Sequence, residues 1–193
     1  MSGSWAIPSV GYVGCQIVSN TVESINVDTS AVEYWTNGSF PNDQFAQLTI
    51  VAWPTGGVGG EADVFLRSDT AGNNLYDLAA TKGSYGPPFS QLNKIVAGTF
   101  STFSSDPTDV WVVNDVLKGT VVGSTVTIFR NGTSVNTHSD SAIASGVIAL
   151  KCTCGVAVSN AAVDNFISTG TIQAFSTTQQ TICQQGVMRA GVR

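Results

Sequence analysis

The chain has 193 residues, of which 11% are charged, with 8 basic against 13 acidic side chains and a formal net charge of −5. A chain of this length is expected to form one domain with a core large enough to need neither disulfides nor a metal. Only three glutamates (Glu23, Glu33, Glu61) and four lysines are present, so strong helix formers are scarce, while Ser, Thr, Asn, Val and aromatic residues give a β composition. So few cations exclude a general nucleic-acid binder, and no stretch approaches the ~18 apolar residues of a membrane span.

The first residues, Met1 to Pro8, lack a basic start and an apolar run, so they do not read as a signal peptide. Residues 1–19 are expected to be an N-terminal arm, residues 20–175 the domain and residues 176–193 a C-terminal arm. Along the domain, short alternating runs are separated by turn chemistry. Strands are expected at 31–36, at 44–53, where Ala46, Leu48, Ile50 and Ala52 form the core-facing set, and at 62–67 and 75–80, joined by the longer turn 68–74. Further strands are expected at 94–100 and 109–114, separated by a Ser-rich connection, with a marginal helical turn at 115–117. The clearest local signal lies in 124–138, where Asn131-Gly132 between two alternating runs predicts a type I′ hairpin. Strands at 146–152 and 161–167 follow. So many short strands predict an all-β, two-sheet antiparallel sandwich.

Four cysteines allow three pairings. Cys152 and Cys154 share a strand face and are poorly placed to bridge each other. Small buried hydrophobes are one reading of the set, and a Cys15–Cys183 clasp between the chain ends is another. The spacing is not that of a zinc site, and no cofactor is expected. Asp69 with Asn73 or Asn74 offers oxygens for a structural calcium, although the same residues simply make a turn.

Three pieces occur in order: Thr125-Val-Thr-Ile-Phe-Arg-Asn-Gly132, Ser145-Gly-Val-Ile-Ala-Leu150 and Ala162-Val-Asp-Asn-Phe-Ile-Ser-Thr-Gly170. In this order the sequence resembles the concanavalin A-like lectin/glucanase superfamily, in particular its LamG-like domains, over about residues 20–170. The resemblance implies a jelly roll with a concave face, a fold that hosts sugar-binding modules, glycoside hydrolases, polysaccharide lyases and structural domains. Hydrolases of this superfamily place acids alternately on one strand. The nearest match, Glu61-Ala-Asp63-Val-Phe65, has Phe65 where a third carboxylate is needed, and Glu61 follows a Gly-rich stretch as if in a loop, so a solvated strand edge is the expectation. The lone histidine, His138, reads as an exposed hairpin residue. No catalytic residues are assigned, and the protein is expected not to be an enzyme.

Sugar recognition needs exposed rings with amide, carboxylate or guanidinium neighbours. The candidates are Arg67, Asn73, Asn74, Tyr76, Tyr85 and Phe89, with 82–89 as the best recognition loop. Trp35, Trp53, Trp111 and Tyr34 read more readily as core. The unpatterned tail, with Cys183, Met188, Arg189 and Arg193, suggests an assembly arm. Together these features favour a non-enzymatic structural or adhesive jelly-roll protein, above all a virion surface or decoration protein. Its partners would be copies of itself or other virion proteins, without nucleic acid or membrane insertion. The alternative is a carbohydrate-binding module recognising a surface glycan.

Overall fold

A computed structural model describes residues 5–9, 11–25, 30–36, 39–54, 59–82, 88–154 and 162–168. The strands are β1 Trp5–Ala6, β2 Cys15–Val18, β3 Thr21–Ser24, β4 Ser30–Trp35, β5 Gln44–Ala52, β6 Gly60–Ser68 and β7 Leu75–Lys82, then β8 Pro88–Val96, β9 Thr99–Asp106, β10 Val116–Val122, β11 Thr125–Arg130, β12 Thr133–Ser139, β13 Val147–Cys154 and β14 Ala162–Ser168. They form two seven-stranded sheets. The front sheet has the order β1-β4-β13-β6-β7-β8-β9, and the back sheet β12-β11-β10-β5-β14-β3-β2. Strand neighbours in both sheets are antiparallel, so the expected two-sheet jelly-roll sandwich is what the chain forms.

The back sheet shows one-sided burial. Along β5, Gln44, Ala46, Leu48 and Ile50 are buried and alternate with half-buried Phe45, Gln47 and Thr49, which puts the predicted set on the core side. The front sheet differs at its centre, where β6 is buried without a break from Ala62 to Ser68 and β7 from Leu75 to Ala80. One face contributes Ala62, Val64, Leu66, Tyr76, Leu78 and Ala80 to the core between the sheets. On the other face a second cluster, Val32, Phe65, Leu75 and Ala149, is covered in part by Tyr12 and Tyr34. A strand sealed on both faces must pair or neutralise any charge that it carries there.

Several sequence expectations are corrected. The expected N-terminal arm supplies β1 and β2 to sheet edges, and Val13 joins β4 by a parallel bridge to Ala31. The run 94–100 is split by a turn at Ala97-Gly98, both at positive φ (50° and 77°), and the Ser-rich stretch beyond it is β9. Segment 109–114 is not a strand but part of a connection that drives Trp111 into the core, 1% exposed, where its Nε1 donates to Ser90 Oγ at 2.9 Å. Residues 116 and 117 lie in β10 rather than in a helical turn. The 125–139 hairpin forms as predicted, with Asn131 and Gly132 at φ 51° and 84°. The arm 176–193 lies outside the described residues.

The two sheets approach closely at Gly119 of β10. A Cβ there would lie 2.6 Å from Val64 Cγ2 and 2.7 Å from Leu78 Cδ2. Gly119→Ala therefore overpacks the core, at a cost of about 1–3 kcal/mol. The expected outcome is a Tm lowered by roughly 3–10 °C in a thermal melt, and an unchanged Tm would show that the sheets can separate freely at this point.

Candidate functional site on the outer face of the front sheet

Alternation along β6 places Glu61, Asp63 and Phe65 on the outer face. Strand pairing sets them opposite Thr81, Ala79 and Asp77 of β7, and on the other side opposite Thr153, Lys151 and Ala149 of β13. On β8, Phe89, Gln91 and Asn93 lie opposite Thr81, Ala79 and Asp77. Directly opposed residues share a face, so four neighbouring strands contribute to one polar site.

Its centre is Lys151. The ammonium is paired with Glu61 Oε2, lies 2.9 Å from Asp63 Oδ2 and 3.8 Å from Asp77 Oδ2, and sits 5.8 Å from the centre of the Phe65 ring. The side chains of Asp63, Asp77 and Lys151 are 0%, 4% and 9% exposed, whereas that of Glu61 is 26% exposed. Asn93 Nδ2 donates to Asp77 Oδ2 at 3.4 Å, and Asn93 Oδ1 accepts from Thr102 Oγ1 at 2.7 Å.

Burial opposes ionisation of every member of this group. It pushes the Asp77 carboxyl up to about 6 and the Asp63 carboxyl well above the ordinary aspartate range, against the pull of Lys151. Burial also works against the Lys151 ammonium, but the charges of Asp63, Glu61 and Asp77 outweigh it and hold the lysine well above its ordinary value. Three carboxyls around one ammonium leave an excess of negative charge, which a retained proton relieves. Asp63 Oδ1 and Asp77 Oδ1 have no hydrogen-bond donor among the described residues. A proton kept by one carboxyl supplies such a donor, and the two groups are close enough to share it. With one proton kept, the charges of Asp63, Asp77 and Lys151 cancel, and the remaining negative charge lies on Glu61, the member that reaches solvent.

Beside Glu61 the face opens. Thr81, Gln91 and Phe89 are each half-buried, and Thr81 Oγ1 donates to Gln91 Oε1 at 3.3 Å. Across the other end lies the N-terminal segment. Tyr12 packs on the outer apolar cluster, and a Cβ at Gly72 would come within 3.0 Å of its ring and 3.3 Å of Pro8. Burial raises the Tyr12 hydroxyl pKa, with Lys151 opposing and the three acids adding to the rise.

The sequence-predicted sugar residues are mostly placed elsewhere. Arg67 is buried, not presented to solvent, and takes φ 50°. Its guanidinium donates to the carbonyls of Asn42, Ile143 and Gly123 at 2.8–2.9 Å, and its N–H donates to Gln44 Oε1. Tyr76 is fully buried, and its hydroxyl donates to Asp140 Oδ1 at 2.7 Å and accepts from the Ile143 N–H. Both are structural staples, because a long polar side chain on the core face must find partners there.

Asn73 and Asn74 build the 69–74 turn. Asp69 Oδ1 accepts from the N–H groups of Ala71 and Asn73, and Asp69 Oδ2 accepts from Asn74 Nδ2. Phe89 belongs to β8 rather than to a loop, and among the described members of the predicted set it is the one in register with Glu61, across Thr81. Tyr85, Cys183, Met188, Arg189 and Arg193 lie outside the described residues. His138 is exposed on β12.

The Glu61/Asp63 pair is likewise corrected, since Glu61 stands within β6 and Asp63 is sealed at the centre of the sheet, not on a solvated edge. Asp77 and Lys151 were missed in the sequence. Their common signal is a charge inside an otherwise apolar strand, Leu-Tyr-Asp77-Leu-Ala-Ala and Ile-Ala-Leu-Lys151-Cys. Cys15 is a free, buried thiol and not one half of a disulfide in this structure.

The sequence matches no protein-family model and no curated protein. Solved structures share its fold. The exoplasmic/lumenal domain of VIP36 in its Ca2+/mannose-bound form superposes with TM-score 0.63 at 10% identity, covering 86% of this chain and 82% of that one. The carbohydrate binding module CBM66 from Bacillus subtilis gives 0.58 at 17% identity, over 87% and 94%. A legume lectin-like domain from Entamoeba histolytica gives 0.56 at 13% identity, over 86% and 89%. The fold is a concanavalin A-like sandwich, as the sequence resemblance implied.

The charge cluster predicts a pH dependence. An unfolded aspartate loses its proton near 3.8 whereas Asp77 keeps it to about 6. Between these values the folded chain binds more protons, so this residue's contribution to stability is present at low pH and is lost as pH rises through about 6. Asp106, lowered by hydrogen bonds from Thr108, acts in the opposite sense, so the informative quantity is a difference. Relative to the parent, Asp77→Asn should gain Tm between pH 4.5 and pH 7. A difference that stays constant with pH would contradict the assignment.

Proposed function

We propose that the protein is a non-enzymatic carbohydrate-binding module and that a glycan docks on the outer face of the front sheet, at the row Glu61, Thr81, Gln91 and Phe89. The observation that carries this reading is the composition of that row. A carboxylate, a hydroxyl and an aromatic ring, Glu61, Thr81 and Phe89, stand in register on three adjacent strands, and the Gln91 amide, two residues along β8 from Phe89, accepts from Thr81 Oγ1. Sugar hydroxyls donate to carboxylates and exchange hydrogen bonds with amides, while the C–H face of a pyranose packs on a ring. Lys151 fixes Glu61 in place, so little side-chain entropy is lost on binding.

The same geometry argues against hydrolysis. Glycosidases need two carboxyl groups flanking the scissile bond. Here Asp63 and Asp77 lie under the surface and only Glu61 reaches solvent. The likeness in fold to a carbohydrate binding module and to a mannose-bound lumenal domain supports recognition over catalysis.

A glycan array probed with the labelled protein tests the reading, followed by titration of the strongest ligand. Phe89→Ala and Gln91→Ala should each weaken binding about tenfold, the equivalent of roughly 1.4 kcal/mol, while leaving Tm within a few degrees. No signal above background on a broad array, with and without calcium, would sink the proposal.

A further inference from the structure

The core holds a second cluster of chemistry that glycan recognition does not use. Cys15 on β2 belongs to the back sheet and Cys152 on β13 to the front sheet. Both side chains are buried in the same core cluster, at 5% and 0% exposure. The Cys152 thiol crosses the interface to donate to the Val22 carbonyl at 3.7 Å, and the Cys15 thiol is near enough to Cys152 for the two ionisations to be coupled. Glu33 lies beside them. Its Oε1 accepts from the Cys15 N–H at 2.9 Å, and its Oε2 has no partner among the described residues.

We propose that Cys15 and Cys152 are a disulfide-forming pair that covalently ties the back sheet to the front sheet. Among the described residues, β2 sits at the edge of the back sheet and pairs only with the four-residue β3. A covalent tie here anchors the N-terminal strands to an interior strand of the front sheet, the same β13 that carries Lys151. Closing so long a loop restricts the unfolded chain strongly.

The chemistry requires a disulfide oxidant such as oxidised glutathione. One cysteine thiolate attacks its S–S bond and releases one glutathione thiolate. The second cysteine thiolate then attacks the mixed disulfide, forms the Cys15–Cys152 bond and releases the other. The two protons lost by the cysteines go to the two glutathione thiolates. In the folded molecule the pair is sealed from oxidant, and both the contact with Cys152 and burial raise the Cys15 thiol pKa. Oxidation therefore belongs to folding, before the sheets close.

The test refolds the Cys154→Ser/Cys183→Ser double variant, in which Cys15 and Cys152 are the only cysteines, in a glutathione redox buffer and in dithiothreitol. The expected result is a 2 Da loss of mass after oxidative refolding, protection of both cysteines from iodoacetamide, and a Tm at least about 8 °C above the reduced form. In the parent chain, non-reducing peptide mapping should recover the same 15–152 link. Two alkylatable thiols in the oxidatively refolded double variant would overturn the proposal. So would a parent chain that links Cys15 to Cys183 or to Cys154 instead.

Discussion

The front sheet depends on one ammonium group. Lys151 enters from β13 and meets Glu61 and Asp63 of β6 and Asp77 of β7. The centres of β6 and β7 are buried on both faces, so an unpaired carboxylate at Asp63 or Asp77 would be poorly solvated. Without the lysine, three carboxyls would compete for protons in a low-dielectric site, and losing one partner of such a group is typically far costlier than never having built it. With the lysine and one proton shared by the two aspartates, the buried charges of Asp63, Asp77 and Lys151 cancel, and Glu61 is held at the surface with its own charge. The same pairing thus closes the centre of the sheet and shapes its open end. It also separates the acids by role: two are buried and serve charge balance, and one remains accessible.

Features that depend on near neighbours in sequence were legible there. The Asn131-Gly132 hairpin follows from the need for positive φ at two successive positions, and the inward set of β5 follows from its period of two. Features that depend on which strand lies next to which were not. Asp63 looks like an edge carboxylate until β13 is known to bring Lys151 opposite it. Asp77 supplies, across the strand from Phe65, a third carboxyl that β6 itself lacks. Arg67 and Tyr76 have the functional groups of a sugar site, but their positions turn them inward, where their polar atoms hold the carbonyl of Ile143 and the carboxylate of Asp140. Trp111 shows the same limit. Its alternating neighbours imitate a strand, yet the segment is a plug secured by Ser90 and by an Asp109–Arg130 ion pair of 2.7 Å.

In the sequence, the scarcity of charged side chains argues against an active site. The structure gives that scarcity a different meaning, because four of the chain's ionisable side chains are gathered into one site. Likeness to lectin and carbohydrate-module structures shows the sandwich fold, and the proposed glycan recognition rests on the residues of the outer face. The residues proposed to form an assembly arm lie outside those described, and the reading of the site stands without them. The proposed cross-sheet disulfide is compatible with the proposed glycan recognition, because disulfides persist in the oxidising conditions outside cells.

The most direct measurement is a crystal structure of the protein with its strongest array ligand. The expected result is sugar density on the outer face of the front sheet, with a pyranose ring on Phe89 and hydroxyls within hydrogen-bond distance of Glu61 and Gln91. Density on the back sheet, or at the 69–74 turn with that face left empty, would contradict it.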